Sequence, residues 1–596
     1  MKKNIYILFA TIAVLITACK KGDLDRFPET QISPNVFFNT EEDLALYVNG
    51  LLSMPDRGSY LDDQSSDNVA TTAAVEVKNV MGGDVNAQNI VGGWTWARLR
   101  NINYFLENYN KAKISTEIKE HYVGLAKYYR AQFYLDKVKR FSDVPWYSGT
   151  LNPDDKELFN PRDSRALVID SVMADLDFAY KHVKTNVPFG TPGKWAVAAF
   201  YSRAALYEGT FRKYHPELNL TTTANVFLET AVKISDEIMK EGGFSIFNRG
   251  LPDQDYAALF SSQDLSSNKE VILVNVFDQA KNVTQNVNGV VFGDYEQAPA
   301  RDLIQTYLMK DGSRFTALPN YDKFGFVKEF ENRDPRLAQT IAYPGWISVP
   351  NTKPYVQSLN KNFTGYHQLK GYVNSNDQAI LNSVDFPVYR YAEVLLNYAE
   401  ALAELGTLNQ TQLDKSVNLL RRRAGMPDLN LAQANASPDL ILQQEFNNVV
   451  SNQGVIFEIR RERRVEFVFE NTRYDDLMRW KAGKLLTKSP EGMYFPGLGK
   501  YDLTGDGIED IILIDRSLTI PDAEHKEKNS LGVVLNYYRT GVIGSDATVY
   551  LKNGANGGAI VTETAVRKFE EPKYYYRPIP QQQIVLNKNL KQIFGW

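Results

Sequence analysis

One segment near the C-terminus carries oxygen-bearing side chains at the spacing of a calcium loop. In the run DLTGDGIED, Gly507 stands where such a loop turns sharply, and the candidate ligand positions are Asp502, Thr504, Asp506, Ile508 and Asp510. The twelfth position is Leu513 instead of the usual bidentate glutamate, and Ile511 to Ile514 has the pattern of a strand. The segment is therefore predicted to be a solvated Asp/Gly turn or, as the alternative, a structural Ca²⁺ site.

The segment from Glu458 to Trp480 combines many arginine and glutamate side chains. Glu458 and Arg461 are three residues apart, and so are Arg463 and Glu466. Side chains at this spacing meet on the surface of a helix, where opposite charges can pair. We predict a structural helix with internal salt bridges, and anion binding is the alternative.

Most signatures of catalysis are absent from the sequence. The five histidines are scattered and none forms HExxH, so a zinc hydrolase lacks its ligands. Neither a GxSxG elbow nor a P-loop is present. The two carboxylates of a glycoside hydrolase have no fixed spacing in sequence, which keeps that class of enzyme open. We expect no required cofactor.

The N-terminus has the features of a bacterial lipoprotein signal. Lys2 and Lys3 precede an apolar stretch from Ile5 to Ile16, and the small residues that follow lead to Cys19, the only cysteine among 596 residues. The stretch is shorter than the roughly 20 residues of a transmembrane helix. We predict a signal peptide at residues 1–18 and a mature chain anchored through acylated Cys19, with an ordinary secretory signal as the alternative.

The composition indicates a globular protein rich in aromatic residues. Hydrophobic residues make 43% and charged residues 23% of the chain, and the net charge of -4 gives no basic bias that would indicate nucleic-acid binding. The chain holds 34 Tyr, 31 Phe and 7 Trp. Aromatic rings fill cores first, but on a secreted surface their faces also suit the C–H faces of sugars.

Helical periodicity dominates the first half of the chain and returns after residue 388. Apolar residues recur every three or four positions in the segments 117–141, 167–183, 195–207 and 226–239. Later, Tyr391 to Leu405 stops at Gly406, and Leu413 to Ala424 stops at Gly425, as expected for left-handed C-caps. The helices are rich in alanine, which favours closely packed hairpins of the tetratricopeptide kind, although no clean 34-residue repeat is present.

Elsewhere the pattern breaks into short strand-like runs, such as Val271 to Phe277, among loops rich in Gly, Asn, Asp and Tyr. We therefore predict a mainly α fold, in which a tetratricopeptide-like helical hairpin scaffold carries irregular loop and short-strand insertions. Residues 19–596 are expected to form one unit. Its parts are a helical region from about 30 to 245, a loop-rich insertion from about 245 to 388, and a C-terminal helical part and tail from 388 to 596.

Seven runs of the sequence are distinctive when they are taken together. They are GLAKYYRAQFYLDKVKRFSDVPW at 124–146, GKWAVAAFYSRAALYEG at 193–209, ENRDPRL at 331–337, RYAEVLLNYAEALAELG at 390–406, RRRAGM at 421–426, IRRERRVEFVFENTRYDDLMRW at 459–480 and PIPQQQIVLNKNLKQIFGW at 578–596. In sequence and in order these runs resemble the SusD/RagB family of outer-membrane nutrient-uptake lipoproteins of Bacteroidota. The tail departs slightly, because QIFGW stands where the family usually ends in QNPGW.

The resemblance implies a noncatalytic protein with a role outside the cell. Such a protein is lipid-anchored at the outer membrane, faces the exterior, and captures oligosaccharides or other nutrients. It passes them to a SusC-like TonB-dependent transporter. The matching runs are scaffold motifs, so the resemblance leaves the ligand open. A lipid-anchored glycoside hydrolase and a helical-repeat adaptor of a protein complex are the alternatives.

The family's binding site draws on loops of the N-terminal third and on the irregular insertions. Here these segments offer seven candidate ligand-binding residues: Tyr60, Asp67, Asn68, Trp94, Trp96, Tyr295 and Trp346. The rings would stack on sugar faces, and Asp67 with Asn68 would hydrogen-bond to hydroxyl groups. Each has a packing role as its alternative, since Trp94 lies where the family carries a helix-start aromatic and Asp67-Asn68 resembles one of its structural turns.

Overall fold

The computed structural model describes residues 37–293, 296–375 and 383–596. Its α-helices are α1 (Glu41–Leu51), α2 (Glu76–Gly82), α3 (Ala97–Asn108), α4 (Thr116–Phe141), α5 (Arg165–His182), α6 (Lys194–Tyr214), α7 (Ala224–Glu241), α8 (Asp255–Ser261), α9 (Arg301–Thr306), α10 (Phe326–Glu329), α11 (Arg336–Thr340), α12 (Tyr391–Leu405), α13 (Gln410–Asp414), α14 (Val417–Arg423), α15 (Leu431–Ala436), α16 (Leu440–Glu445), α17 (Gln453–Glu466), α18 (Arg473–Arg479) and α19 (Gln581–Leu586). The fold is mainly α, as the sequence predicts.

The long helices α4 to α7 pair as two antiparallel hairpins, and all four are predicted from periodicity. Arg165, at the start of α5, donates a hydrogen bond to the carbonyl oxygen of Val138 near the end of α4, at 3.3 Å. In the second hairpin the Ser202 and Ser235 hydroxyls lie 2.6 Å apart. A Cβ on Gly209 would come within 2.9 Å of Leu228, so the absent side chain lets α6 and α7 approach closely.

Helix α12 joins the C-terminal helices to these hairpins. It lies beside α6, where Arg203 pairs with Glu393 and Lys213 with Glu404, at 2.5 and 2.7 Å. It ends at Gly406, which takes the left-handed conformation (φ 75°) that the sequence predicts. The two helical regions therefore share one hydrophobic core, which includes residues from Phe38 to Leu590.

Two segments that the sequence predicts as single helices are interrupted. The segment 413–424 is divided at Ser416, whose hydroxyl bonds to the carbonyl oxygens of Gln412 and Leu413 in competition with the helical ladder. The charged segment 458–480 is divided between α17 and α18. Phe469 and Asn471 adopt positive φ angles of 62° and 56° there, which a right-handed helix does not allow.

The insertions contribute short strands and a second hydrophobic cluster. The strands are β1 (Val69–Thr71), β2 (Val271–Asn275), β3 (Gln297–Pro299), β4 (Phe386–Arg390), β5 (Glu491–Phe495), β6 (Gly499–Tyr501), β7 (Ile511–Asp515), β8 (Asn536–Gly541), β9 (Val549–Tyr550) and β10 (Gly558–Val561). β1–β3, β2–β4 and β5–β10 form antiparallel pairs. The fourth sheet has the order β6-β7-β8-β9, antiparallel at β6–β7 and parallel elsewhere. β2 and β7 coincide with the predicted strand-like runs.

A buried ionic network connects the insertion with the C-terminal helices. The Glu466 carboxylate on α17 contacts Arg423 of α14 at 2.5 Å, Arg390 of β4 at 2.9 Å and Arg336 of α11 at 3.1 Å. Burial alone would raise the pKa of Glu466, but the three guanidinium groups outweigh it and hold that pKa well below its ordinary value. Glu466 is therefore ionised throughout the physiological pH range.

The predicted helical pairs are only partly present. Glu458 and Arg461 pair at 2.5 Å, as the spacing indicates. The pairing of Arg463 with Glu466 is wrong, because Arg463 contacts Asp476 at 3.2 Å while Glu466 is surrounded by its three arginines. Arg463 and Glu466 therefore pair with residues of other elements and not with each other. Within the described ranges no helix is both long and apolar enough to cross a membrane.

The Glu466→Gln variant removes the negative charge and leaves three buried guanidinium groups facing a neutral amide. We expect the free energy of unfolding, measured by urea denaturation, to fall by about 3–5 kcal/mol. Because the folded-state pKa of Glu466 is depressed, its stabilisation is full above the ordinary carboxyl pKa and declines as the pH falls toward the lower folded value. The control is Glu331→Gln, whose pair with Lys328 is exposed, with an expected loss below about 1 kcal/mol. Equal losses would contradict this account.

Candidate functional site

A cleft of about 430 Å³ lies among the loop-rich parts of the chain. We call it the polar cleft, because charged, amide and tyrosine side chains dominate its lining. Its volume falls in the range of sites for small ligands. The lining residues used below are Asp67, Arg301, Asp302, Gln305, Tyr321, Asp322, Lys323, Lys488, Glu491, Tyr494, Lys552, Asn553 and Asn556.

Three segments distant in sequence supply most of this lining. Helix α9 provides one wall with Arg301, Asp302 and Gln305. Strand β5 provides Glu491 and Tyr494, and its antiparallel pairing with β10 sets Tyr494 opposite Ala559. The turn before β10 carries the exposed amides of the cleft. The β5–β10 pair therefore positions groups that lie more than fifty residues apart in the chain.

Arg301 fixes the position of the Tyr494 ring. Its guanidinium lies 5.5 Å from the centroid of that ring, within the range of a cation–π contact. The buried Glu329 carboxylate accepts a hydrogen bond from Arg301 at 2.8 Å. The carbonyl oxygens of Asp322 and Phe324 accept two more, at 2.8 and 3.0 Å. An arginine held by three partners gives the tyrosine a rigid support.

Asp67 lies where the polar cleft meets buried arginines of α17 and α18. Arg473 donates to both of its carboxylate oxygens at 2.8 Å, and Arg464 approaches within 3.5 Å. Burial favours the neutral acid, but Arg464 and Arg473 outweigh that effect and hold the pKa of Asp67 below its ordinary value. Of the six predicted ligand-binding residues that lie in the described ranges, Asp67 alone lines the polar cleft.

Four other predicted ligand-binding residues are buried, of which Trp94 is described below. Tyr60 is 1% exposed and packs edge-on against Phe386, so its ring has no free face for a sugar. Trp346 is 6% exposed and packs against Phe292 in an aromatic cluster. Asn68 is fully buried, and its amide bonds to Asp63 and Arg464. These side chains cannot contact a ligand directly in this structure, because each is packed in the interior of the protein.

Trp94 and Trp96 lie together, away from the polar cleft. Their rings meet edge to face, with centroids 5.4 Å apart. Trp94 is buried against Phe141, while Trp96 is partly exposed in a second, mostly apolar groove. Tyr295 and Cys19 are outside the described residues. The structure thus separates the predicted residues between two surfaces and does not unite them in one site.

Comparison with known proteins identifies the family. A sequence model of the SusD family matches residues 269–596, more than half of the chain. The chain belongs to the SusD family. Relatives of this SusD-family chain include SusD-like proteins P2 and P38 of Formosa agariphila. Both are 23% identical, over 79% and 80% of this chain and 90% and 91% of their own lengths.

Solved structures show the same fold over nearly the whole chain. A SusD-like protein of Bacteroides fragilis is similar with a TM-score of 0.67 and 22% identity, covering 96% of this chain and all of that one. A SusD-like carbohydrate-binding protein of the same species gives 0.66 and 22%, over 93% of this chain and all of its own. A laminarin-binding SusD-like protein gives 0.53 and 16%, over 94% of this chain and all of its own. These likenesses identify the fold of the SusD-family scaffold.

The calcium-like segment of this SusD-family chain forms a self-contained turn. Asp502 accepts hydrogen bonds from the backbone N–H groups of Gly505 and Gly507, at 2.6 and 2.8 Å. Asp510 accepts from Leu503 and Thr504, at 2.8 and 2.9 Å. In the ranges that the structure describes, no cluster of three or more His, Cys, Asp or Glu residues is arranged to hold a metal ion. These hydrogen bonds are those of an Asp/Gly turn, and the Ca²⁺ site stays a prediction.

Calcium binding at this turn can be tested by thermal unfolding in millimolar CaCl₂ and in EGTA. We expect the two Tm values to agree, because backbone N–H groups already bond to both carboxylate oxygens of Asp502 and to one of Asp510. A ligand that bound only the folded state would raise Tm. A calcium-dependent rise that disappears in Asp502→Asn would establish the metal site instead.

Proposed function

We propose that this protein is a noncatalytic, lipid-anchored glycan-binding protein of the outer-membrane surface, which delivers oligosaccharides to a SusC-like TonB-dependent transporter. Membership of the SusD family is the observation that carries the proposal. Two proteins with the same fold support the ligand class, since one is described as carbohydrate-binding and the other as laminarin-binding.

The polar cleft has the chemistry that a glycan site needs. Tyr321 and Tyr494 offer partly exposed rings for the C–H faces of sugars. The side chains of Gln305, Asn553 and Asn556 offer both donors and acceptors to hydroxyl groups. An apolar platform combined with a few polar groups is the usual design of a site for small ligands.

The charges of the polar cleft are balanced. Its lining holds four acidic side chains and four basic ones: Asp67, Asp302, Asp322 and Glu491, and Arg301, Lys323, Lys488 and Lys552. Lys552 lies 3.2 Å from Glu491, and Lys488 lies 3.5 Å from Asp302. A neutral polyhydroxylated ligand would hydrogen-bond to such pairs without bringing an uncompensated charge. This supports a neutral oligosaccharide as the ligand.

The environment of Asp67 supports binding without hydrolysis. A glycosidase needs one carboxylic acid with a raised pKa to protonate the leaving group, together with a second carboxylate. Asp67 is instead kept ionised by Arg464 and Arg473, which lower its pKa. The buried carboxylate of the polar cleft is therefore unsuited to the role of general acid.

Tyr494→Ala removes the ring that Arg301 supports, and we expect the Kd for a bound oligosaccharide to rise about tenfold, or about 1.4 kcal/mol. A glycan array that includes laminarin oligosaccharides selects the ligand, and isothermal titration calorimetry measures its Kd. Tyr494→Phe keeps the ring and should change Kd little. The matched control is Tyr537→Ala, which removes a partly exposed ring of β8 that does not line the cleft.

The same incubations separate binding from hydrolysis. Product analysis should find no new reducing ends, whereas release at enzyme-like rates would contradict the noncatalytic role and support the hydrolase alternative. Equal Kd values for the wild type and Tyr494→Ala would contradict the assignment of the ligand to the polar cleft while leaving the binding function intact.

Cys19→Ala tests the lipid anchor. Acyl chains on this cysteine would hold the protein firmly, because burial of each methylene contributes about 0.8 kcal/mol. We expect the variant to leave the membrane fraction in cell fractionation, while the purified protein keeps its Kd for the oligosaccharide. Retention of the variant in the outer membrane, or loss of glycan binding by the purified protein, would contradict the separation of anchor and binding scaffold.

The proposed transporter is tested with the same membranes. Affinity capture of the wild-type protein from mild detergent should bring down a large outer-membrane β-barrel, and deletion of the gene should abolish uptake of the bound oligosaccharide. Capture of a soluble partner alone would contradict delivery to a transporter and favour the adaptor alternative.

A further inference from the structure

The groove that contains Trp96 has a character unlike that of the polar cleft. Its volume is about 460 Å³, and its lining is mostly apolar. We call it the apolar groove. One wall is the start of α3, the second is the loop between residues 145 and 159, and the third is α19 with the residues that follow it. Phe159 and Leu586 on its rim are 51% and 63% exposed.

The walls of the apolar groove are fixed by hydrogen bonds to the backbone. Asn103 of α3 donates to the carbonyl oxygens of Tyr147 and Gly149, at 2.9 and 3.0 Å. On the third wall, Asn587 donates to the carbonyl oxygen of Asn160 at 3.0 Å, and Asn589 donates to that of Phe159 at 2.7 Å. The groove is thus formed before any ligand arrives, which lowers the entropy that binding must overcome.

The same hydrogen bonds make the lining unsuited to sugars. The amide donors of Asn103 and Asn587 are directed at the backbone and are not offered to the groove. Apart from Gln583 and Arg100, what remains is a set of apolar and aromatic surfaces, with Trp96 meeting Tyr147 edge to face at 5.4 Å. A sugar placed here would lose hydrogen bonds to water without replacing them.

Arg100 is the cation of this groove. It lies one helical turn after Trp96 on α3, and its side chain is exposed. Among the described residues, no carboxylate forms an ion pair with Arg100, whereas most arginines of this chain are paired. An apolar groove of about 460 Å³, beside a guanidinium that no carboxylate of the described ranges neutralises, is complementary to a molecule that is apolar along its length and anionic at one end.

We infer that the apolar groove binds amphiphilic anions, with an acyl or aryl body against Trp96, Phe159 and Leu586 and a carboxylate, sulfate or phosphate group at Arg100. This is a second binding site, separate from the polar cleft and independent of the glycan function. The ligand is either a free amphiphile, such as a fatty acid, or the chain and headgroup of an anionic membrane lipid, and the two share this chemistry.

The test uses the chain without residues 1–19, which retains every residue of the described ranges. The probe is 8-anilinonaphthalene-1-sulfonate, an aryl sulfonate that fluoresces when its rings enter an apolar site. We expect saturable binding with one site per chain and displacement by dodecanoate. Leu586→Ser should raise the Kd of the probe at least fivefold. The matched control is Leu440→Ser on α16, which is 70% exposed and outside the groove, and it should leave Kd unchanged.

Arg100→Gln examines the charge. It should raise the Kd of dodecanoate at least fivefold and leave that of dodecanol unchanged, because dodecanol has the same chain without the anion. Displacement of the probe by vesicles of phosphatidylglycerol, and not of phosphatidylcholine, would identify a membrane lipid as the source. Displacement by dodecanoate alone would identify a free amphiphile, and both results support the inference.

Three results would overturn the inference. The first is a probe that dodecanoate does not displace, and the second is an equal Kd in Leu586→Ser and Leu440→Ser. The third is a loss of binding to the transporter in Leu586→Ser while the Kd of the probe stays unchanged, which would make the groove a protein interface. Because the glycan Kd is measured separately, failure here leaves the glycan proposal untouched.

Discussion

The structure depends on one buried carboxylate. Glu466 pairs with three arginines that come from α11, β4 and α14, so this side chain is a shared contact of the loop-rich insertion and the C-terminal helices. Further carboxylates complete the network, because Glu462 also contacts Arg336 and Glu270 also contacts Arg390 and Arg423. Loss of the Glu466 charge would leave these buried cations undercompensated. The helical hairpins supply most of the apolar burial, but this ionic centre determines how the insertion is placed on them. The polar cleft, one wall of which is α9 of the insertion, inherits its geometry from that placement.

The two proposed sites differ in which of their polar groups are left free to contact a ligand. In the polar cleft, charged and amide groups remain available to solvent, and one tyrosine ring is in contact with the anchored Arg301. In the apolar groove, the amides of Asn103 and Asn587 are bonded to the backbone, so rings and aliphatic chains make up most of the surface. In both sites lining side chains are held rigidly by hydrogen bonds. The polar groups that are not already hydrogen-bonded within the protein determine which ligands each site can bind.

Sequence reasoning succeeds where the determining interactions are local. The spacing of apolar residues predicts α4 to α7 and α12, and Gly406 marks the end of α12, because periodicity and capping act within a few residues. It fails where partners are distant. The break at Phe469 to Asn471, the burial of Tyr60 and Trp346, and the meeting of Arg301 with Tyr494 depend on tertiary contacts that no local pattern records.

The support of Tyr494 by Arg301 has a consequence for how ligand preference can change. Arg301 is anchored by the buried Glu329 and by the backbone of residues 322 and 324, so the ring and the adjoining loop share one foundation. The amides at 553 and 556 belong to the turn before β10, outside the segments that anchor Arg301. Insertions or replacements in that turn would alter which hydroxyl pattern is recognised without disturbing the foundation. Changes in this turn would therefore give new ligand specificities while Arg301 and the residues that anchor it stay unchanged.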